Sequence, residues 1–172
     1  MSDEVEIRGE RLVLRPLSPA EIDAEWRDMV TADPMTTAAL PDEAIFRARL
    51  ARSGRMRDGW LDLAIDLGGR VIGRIQTFVP PGRPIPPGTF DIGISLHADA
   101  RGKGYGREAL RLFTDWLFRH AGARVLEAGT DQANHAMRAV FGHVGWHEDG
   151  VLTEIGRDWV MYRITRADWE QR

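Results

Sequence analysis

The stretch Asp91-Ile-Gly-Ile-Ser-Leu-His-Ala-Asp-Ala-Arg-Gly-Lys-Gly-Tyr-Gly-Arg-Glu-Ala-Leu110 constrains this chain more than any other. Strand character from Phe90 to Leu96 gives way to glycines at 102, 104 and 106. A helix is then predicted from Gly106 to His120, with apolar residues at 109, 110, 112, 113, 116 and 117 on one broad face and Gly122 at its end. A strand that runs through glycines into a helix N-terminus makes an anion site. Glycine lets a ligand approach the backbone, the first helical N–H groups lack internal partners, and the helix dipole favours negative charge. A few such amides beside Arg101 or Lys103 suit a phosphate or pyrophosphate, since each hydrogen bond to a charged group contributes about 1.5–3 kcal/mol.

Other patterns overlap the same residues. Gly104-x-Gly106-x-x-Ala109, with Glu127 about 20 residues on, matches a dinucleotide-binding fingerprint. That fingerprint opens a first βαβ unit followed by several more, whereas here a hairpin precedes it and too little chain follows. No Gly-Lys-Ser or Gly-Lys-Thr closes the segment, so it is not a P-loop. Ser95, in Gly93-Ile-Ser-Leu-His97, is one residue off the nucleophile-elbow pattern and lacks the strand-to-helix step that pattern needs.

The rest of the chain reads as alternating elements. Arg11 to Leu17 alternates as a half-buried first strand, and Ser18-Pro-Ala-Glu21 is a capping box opening a helix to about Val30. A second helix is predicted from Asp42 to Ser53, joined to the first by a proline-containing loop. Trp60–Leu67 and Arg70–Phe78 form a hairpin about Gly68-Gly69. The proline-rich run from Pro80 to Gly88 is a stiff surface loop. A short strand over Arg124–Gly129, a helix over Asn134–Val144 and a closing antiparallel pair, Trp146–Leu152 with Trp159–Thr165, complete the chain. One α+β (mixed α/β) domain over residues 1–172 is expected.

Composition narrows the function further. The chain has 23 Lys and Arg against 26 acidic residues, so no overall basic field favours nucleic acid. No apolar run approaches the ~20 residues of a membrane span, and the polar start lacks the marks of a signal peptide, which makes the cytoplasm the expected address. Absence of cysteine removes thiolate zinc sites and acyl-cysteine intermediates. His97, His135, His143 and His147 show no metal-binding spacing, and no metal is expected.

Arg101-Gly-Lys-Gly104-Tyr-Gly106 resembles the Arg/Gln-x-x-Gly-x-Gly/Ala signature of the GNAT acetyltransferases. Arg8 to Leu17 is similar to the opening strand of their RimJ/RimL-like branch, and Asn134 to Trp146 to that branch's second signature. The resemblance implies a central, mostly antiparallel twisted sheet flanked by helices. It implies that the amides of Arg101, Gly102, Lys103, Gly104, Tyr105 and Gly106 cradle the pyrophosphate of acetyl-coenzyme A. A bulged strand at Leu96 would pair with the pantetheine arm and stabilise the oxyanion, and Asn134 would also contact that arm. Met137 stands where the second signature has a serine, Ala139 where it has an arginine, and Gly142-His143 where it has a Glu-Lys pair. No tyrosine marks itself as the general acid.

Asp91, five residues before Leu96, is the candidate base or water-positioning group, since related enzymes often carry an acidic residue there. The acceptor is expected to be an amine, on a peptide N-terminus, a metabolite or an antibiotic. A homodimer is compatible with this reading. The rival is a non-catalytic acyl-coenzyme A sensor, suggested by Met137 and the missing tyrosine. With no cysteine and no elbow serine, transfer should be direct: the intact mass of the protein should not change on incubation with acetyl-coenzyme A alone, and a stable gain of one acetyl group on a strand or loop serine would overturn direct transfer.

Overall fold

The computed structural model describes residues 4–31, 41–80, 82–154 and 156–172. The proline-containing connection expected between the first two helices, and residues 1–3 of the polar start, lie outside the described residues.

The chain begins with β1 (Ile7–Arg8), β2 (Val13–Arg15), α1 (Pro19–Thr31) and α2 (Glu43–Leu50). Next come β3 (Leu61–Leu67), β4 (Arg70–Phe78) and β5 (Thr89–Leu96), then α3 (Tyr105–His120) and β6 (Val125–Asp131). It closes with α4 (His135–Val144), β7 (His147–Glu154), β8 (Arg157–Thr165) and the short α5 (Arg166–Glu170). The eight strands form one sheet in the order β1-β2-β3-β4-β5-β6-β8-β7. Every neighbouring pair is antiparallel except β5 and β6. The fold is therefore the α+β architecture expected, a mostly antiparallel sheet flanked by helices.

Local chemistry explains most element boundaries. At the start of α1 the Ser18 hydroxyl accepts from the Glu21 N–H at 3.3 Å, and the Glu21 carboxylate accepts from the Ser18 N–H at 2.7 Å, a closed capping box. Asp42 caps α2 by accepting from the Ile45 N–H. That helix ends at Leu50, short of the expected Ser53, because the chain tightens into turns in which Arg52 and Ser53 donate to Arg49 and Leu50. Gly68 and Gly69 both have positive φ, 61° and 93°, as a two-residue hairpin turn requires.

The expected first strand, Arg11–Leu17, is shortened to β2, Val13–Arg15, and β1 precedes it outside the expected span. Gly9 donates to the Leu12 carbonyl in a turn between β1 and β2, and the Arg11 N–H leaves the ladder for the Glu108 carboxylate at 2.8 Å. Glu108, in the first turn of α3, also accepts from the Leu12 N–H at 3.1 Å and from Arg11 Nε at 2.8 Å. One carboxylate with a 7% exposed side chain thus fixes the sheet's first corner to the central helix.

The two sheet faces carry different helices. Leu63, Ile65, Ile72, Ile75, Ile92, Leu126 and Ile164 pack against the apolar stripe of α3, formed by Ala109, Leu110, Phe113 and Leu117. On the opposite face Ala64 meets Leu17, Ile22, Phe46 and Leu50 under α1 and α2. β3 is buried on both faces, so Asp62 and Asp66 lie beneath α1 and α2 and need partners. Asp62 lies 3.3 Å from Arg49 and 3.4 Å from Arg74, and Asp66 pairs with Arg15 at 2.6 Å.

At Gly73, β4 and β5 come into close contact. A Cβ there would stand 2.1 Å from the Ser95 carbonyl oxygen and 2.9 Å from the Leu96 Cα, both backbone atoms that cannot step aside. Gly73→Ala should therefore prise β5 from β4 and destabilise the protein by about 1–3 kcal/mol, read as a lowered urea midpoint. An unchanged midpoint would mean that the strands separate at no cost.

Burial opposes ionisation of Glu108, but the hydrogen bonds from Arg11 and Leu12 outweigh it and set its pKa below the usual glutamate range. Its stabilising contribution is then complete above the unfolded value of about 4.3 and is lost as pH falls through the lower folded value. Glu108→Gln should destabilise by about 1–3 kcal/mol near pH 7, and the difference from the parent should shrink below about pH 4. A difference independent of pH would refute this linkage.

Candidate functional site

The parallel pairing of β5 with β6 covers three positions, Thr89↔Val125, Phe90↔Leu126 and Asp91↔Glu127, and then stops. Beyond that vertex β5 runs on to Leu96 with only β4 beside it, and β6 runs on to Asp131 with only β8. The result is a V-shaped gap through the middle of the sheet. Its register partner β4 stays in step from Phe78↔Asp91 to Gly73↔Leu96. The bulge expected at Leu96 is therefore not present as a register shift; the irregularity falls on the β6 side, where pairing ends altogether.

The gap is exposed backbone. The His97 N–H donates to the Ile72 carbonyl of β4 at 2.8 Å, so the alternation of an extended chain turns the backbone groups of Leu96 and Ile94 the other way, into the gap. Gly93 and Gly129 flank it. A Cβ on Gly93 would approach the Gln76 side chain at 3.1 Å, and one on Gly129 would meet Met161 Sδ at 3.0 Å.

A cleft of about 600 Å³ fills the gap and passes from one face of the sheet to the other. On the helical face it is lined by Tyr105 and Gly106 of α3 and by Met137, Val140 and Phe141 of α4. On the outer face it is lined by Gly129, Asp131 and Trp159. Among the lining residues the hydroxyl groups are those of Ser95, Tyr105 and Thr130. Tyr162 stacks on Phe141 with ring centroids 4.6 Å apart, and its hydroxyl donates to Glu148 at 2.9 Å.

The glycine loop closes the helical end of the cleft. Gly102 and Gly104 have φ of 72° and 83°, and Gly104 is the N-cap of α3. Glu108 is the first residue to donate back to Gly104, at 3.2 Å, so the N–H groups of Tyr105, Gly106 and Arg107 precede the helical ladder and lack an intrahelical acceptor. Arg11 donates to the Lys103 carbonyl at 3.2 Å and to the Gly104 carbonyl at 3.4 Å, with its guanidinium 4.9 Å from the Tyr105 ring centroid. The loop is thus held by its carbonyls, and amides at a helix N-terminus offer an anion site.

The residues expected at the site fall into three groups. Leu96, Arg101, Gly102, Gly104, Tyr105, Gly106 and Asn134 line the cleft together. Arg101 Nε donates to the Leu96 carbonyl at 3.0 Å. Asn134 is the N-cap of α4, and its Oδ1 accepts from the Met137 N–H at 3.1 Å, which leaves its amide nitrogen for a ligand. Lys103 lies in the loop with its ammonium turned to the Asp99 carbonyl at 2.8 Å, outside the lining.

Asp91 is likewise not a lining residue. It sits at the vertex of the V, on the same outer face as Gly93, 3% exposed and in contact with Arg83 of the proline-rich loop. Burial raises its pKa above the ordinary aspartate value, and Arg83 opposes that rise. Sequence reasoning missed Arg83, because nothing in a loop of prolines signals which strand one of its side chains will reach. Trp159, whose place in the sequence suits core or groove packing, lines the cleft.

Among the described residues, no helix is long and apolar enough to cross a membrane, and no group of three metal-binding side chains occurs. No curated protein matches the sequence. Several solved structures share the fold. An acetyltransferase from Agrobacterium tumefaciens str. C58 is 27% identical, with 94% of this chain and 95% of that one covered and a TM-score of 0.74. Mycobacterium smegmatis RimJ in complex with CoA-disulfide is 22% identical over 96% of this chain and 88% of that one, with a TM-score of 0.72. Aminoglycoside acetyltransferase AAC(6')-Ib, in complex with coenzyme A and kanamycin, is 19% identical over 93% and 98%, with a TM-score of 0.74. The acetyltransferase (GNAT) domain model matches residues 11–147, and with the glycine loop and the parted strands in that span the chain belongs to the GNAT acetyltransferase family.

Proposed function

We propose that this protein is an acetyl-coenzyme A-dependent N-acetyltransferase of the RimJ/RimL-like branch, acting in the cytoplasm as one domain on a primary amine. The observation that carries the reading is the cleft through the sheet: it joins a glycine loop with free amides on one face to an open, partly acidic surface on the other. Similarity to proteins solved with coenzyme A, one of them an aminoglycoside acetyltransferase, supports it.

In this reading the amides of the Arg101–Gly106 loop hold the pyrophosphate, and the Ile94 and Leu96 backbone groups pair with the pantetheine arm. One of those N–H groups stabilises the negative charge that develops on the thioester oxygen. The acceptor amine arrives from the outer face. Its nitrogen bonds to the acyl carbon as the carbon–sulfur bond breaks; Asp91 takes the proton the amine loses, directly or through a water, and the departing thiolate is protonated by a cleft hydroxyl or solvent. An α-amine with pKa near 8 is about a tenth neutral at pH 7, while a lysine amine is neutral in roughly one of 2,500 molecules. A site with a single carboxylate base therefore favours an α-amine or another amine of lowered pKa.

A panel of peptide N-termini, polyamines and aminoglycosides, read by thiol release, identifies the acceptor. Coenzyme A binding with no turnover on any amine would favour the sensor reading, to which Met137 in the cleft lining lends support. Gly104→Val tests the cofactor loop. Valine at φ 83° is strained and crowds the amides, so coenzyme A affinity by calorimetry should fall at least about tenfold. A folded variant with unchanged affinity removes the central support for the reading.

A further inference from the structure

The vertex of the V is closed by a charge from outside the sheet. Asp91 and Glu127 are the last cross-strand pair before β5 and β6 part. Arg83 reaches over them from the loop between β4 and β5. Its guanidinium contacts the Asp91 carboxylate and lies 3.3 Å from Glu127 Oε2. Asp91 is nearly all buried, whereas the Arg83 side chain is 38% exposed, so the carboxylate is fixed by the sheet and the cation is brought to it.

Among the described residues, Arg83 is the cation paired with Asp91. On β4 its register partner is Phe78, and Gln76 lies next on that face; both are uncharged. On β6 Glu127 adds a second negative charge, and on β8 Arg163 lies opposite Glu127. From β7 Glu154 acts on Arg83 itself. Further along β4, Arg74 is engaged with Glu25 at 3.0 Å and with Asp62. Removing Arg83 would leave a buried aspartate beside a glutamate, the arrangement in which a carboxyl retains its proton.

We propose that Arg83 is a positioning residue for acyl transfer: it holds Asp91 ionised and in place at the vertex, facing the side from which the amine arrives. The proposal rests on the reading of Asp91 as the base. Burial favours the protonated acid and Arg83 opposes it, so the loop supplies the charge that shifts Asp91 back toward the ionised form able to accept a proton. A merely structural Arg83 would stiffen the loop without altering that titration.

The test is a titration of Asp91 in protein labelled with ¹³C at the aspartate carboxyls, its resonance identified by loss in Asp91→Asn. In Arg83→Met the midpoint should rise by about one pH unit or more, a tenfold change in proton affinity, and Arg83→Lys should recover at least about half of the shift. With the amine that the panel identifies, the acidic limb of kcat/KM should move upward by the same amount, with the high-pH plateau held within about twofold and coenzyme A affinity unchanged. Should the Met variant not fold, Arg83→Gln takes its place. A folded variant whose midpoint stays within about 0.3 of the parent overturns the proposal alone, provided that Asp91→Asn has lost turnover. Full turnover in Asp91→Asn overturns both the proposal and the base assignment, while leaving the acetyltransferase reading intact.

Discussion

More than half of each of two central strands lacks a neighbour on one side once β5 and β6 separate after Asp91 and Glu127, and the rest of the structure follows from how that deficit is met. Unpaired peptide groups in the middle of a fold are costly, so each strand must be held firmly from its other side. β6 is paired with β8 along its whole length, Val125 to Asp131. β5 is paired with β4 through Leu96, and Gly73 lets the two backbones close to a distance that no side chain would permit. The gap is thus an opening in a sheet, fixed by its outer partners, with the Ile94 and Leu96 N–H groups turned into it.

The helical side adds a second constraint. The amides at the start of α3 are useful to an anion only if the helix is aimed at the gap, and the helix is aimed by contacts remote from it. Its buried stripe packs on Ile75, Ile92 and Leu126, while Glu108 ties its first turn to the backbone of Arg11 and Leu12. Arg11 then holds the glycine loop by two carbonyls. A single acid–base pair therefore joins the edge of the sheet, the helix axis and the loop geometry.

Much of this was legible in the sequence because it is local. The capping box at Ser18, the Gly68-Gly69 turn, the stripe of α3 and the short helix opening at Asn134 each state their structure within a few residues, and each is found where expected. What was not legible depends on contacts across the chain. The first expected strand begins only at Val13 because the Arg11 N–H finds Glu108, 97 residues away, and the Leu12 N–H finds it too. Parting of β5 from β6 has no signature in either strand, and Arg83 reaches Asp91 from a loop whose prolines speak only of stiffness. The short α5 is a different case: Thr165-Arg-Ala-Asp168 is a capping box that closes as such boxes do, a local signal that went unread.

Because the cleft opens on both faces of one sheet, the segments that shape its two mouths are separate pieces of chain. The glycine loop, α3 and α4 form one mouth; the outer side of β6 and Trp159 of β8 form the other. On the proposed reading, substitutions on the outer side would change the acceptor without disturbing the peptide amides that hold the donor on the helical side.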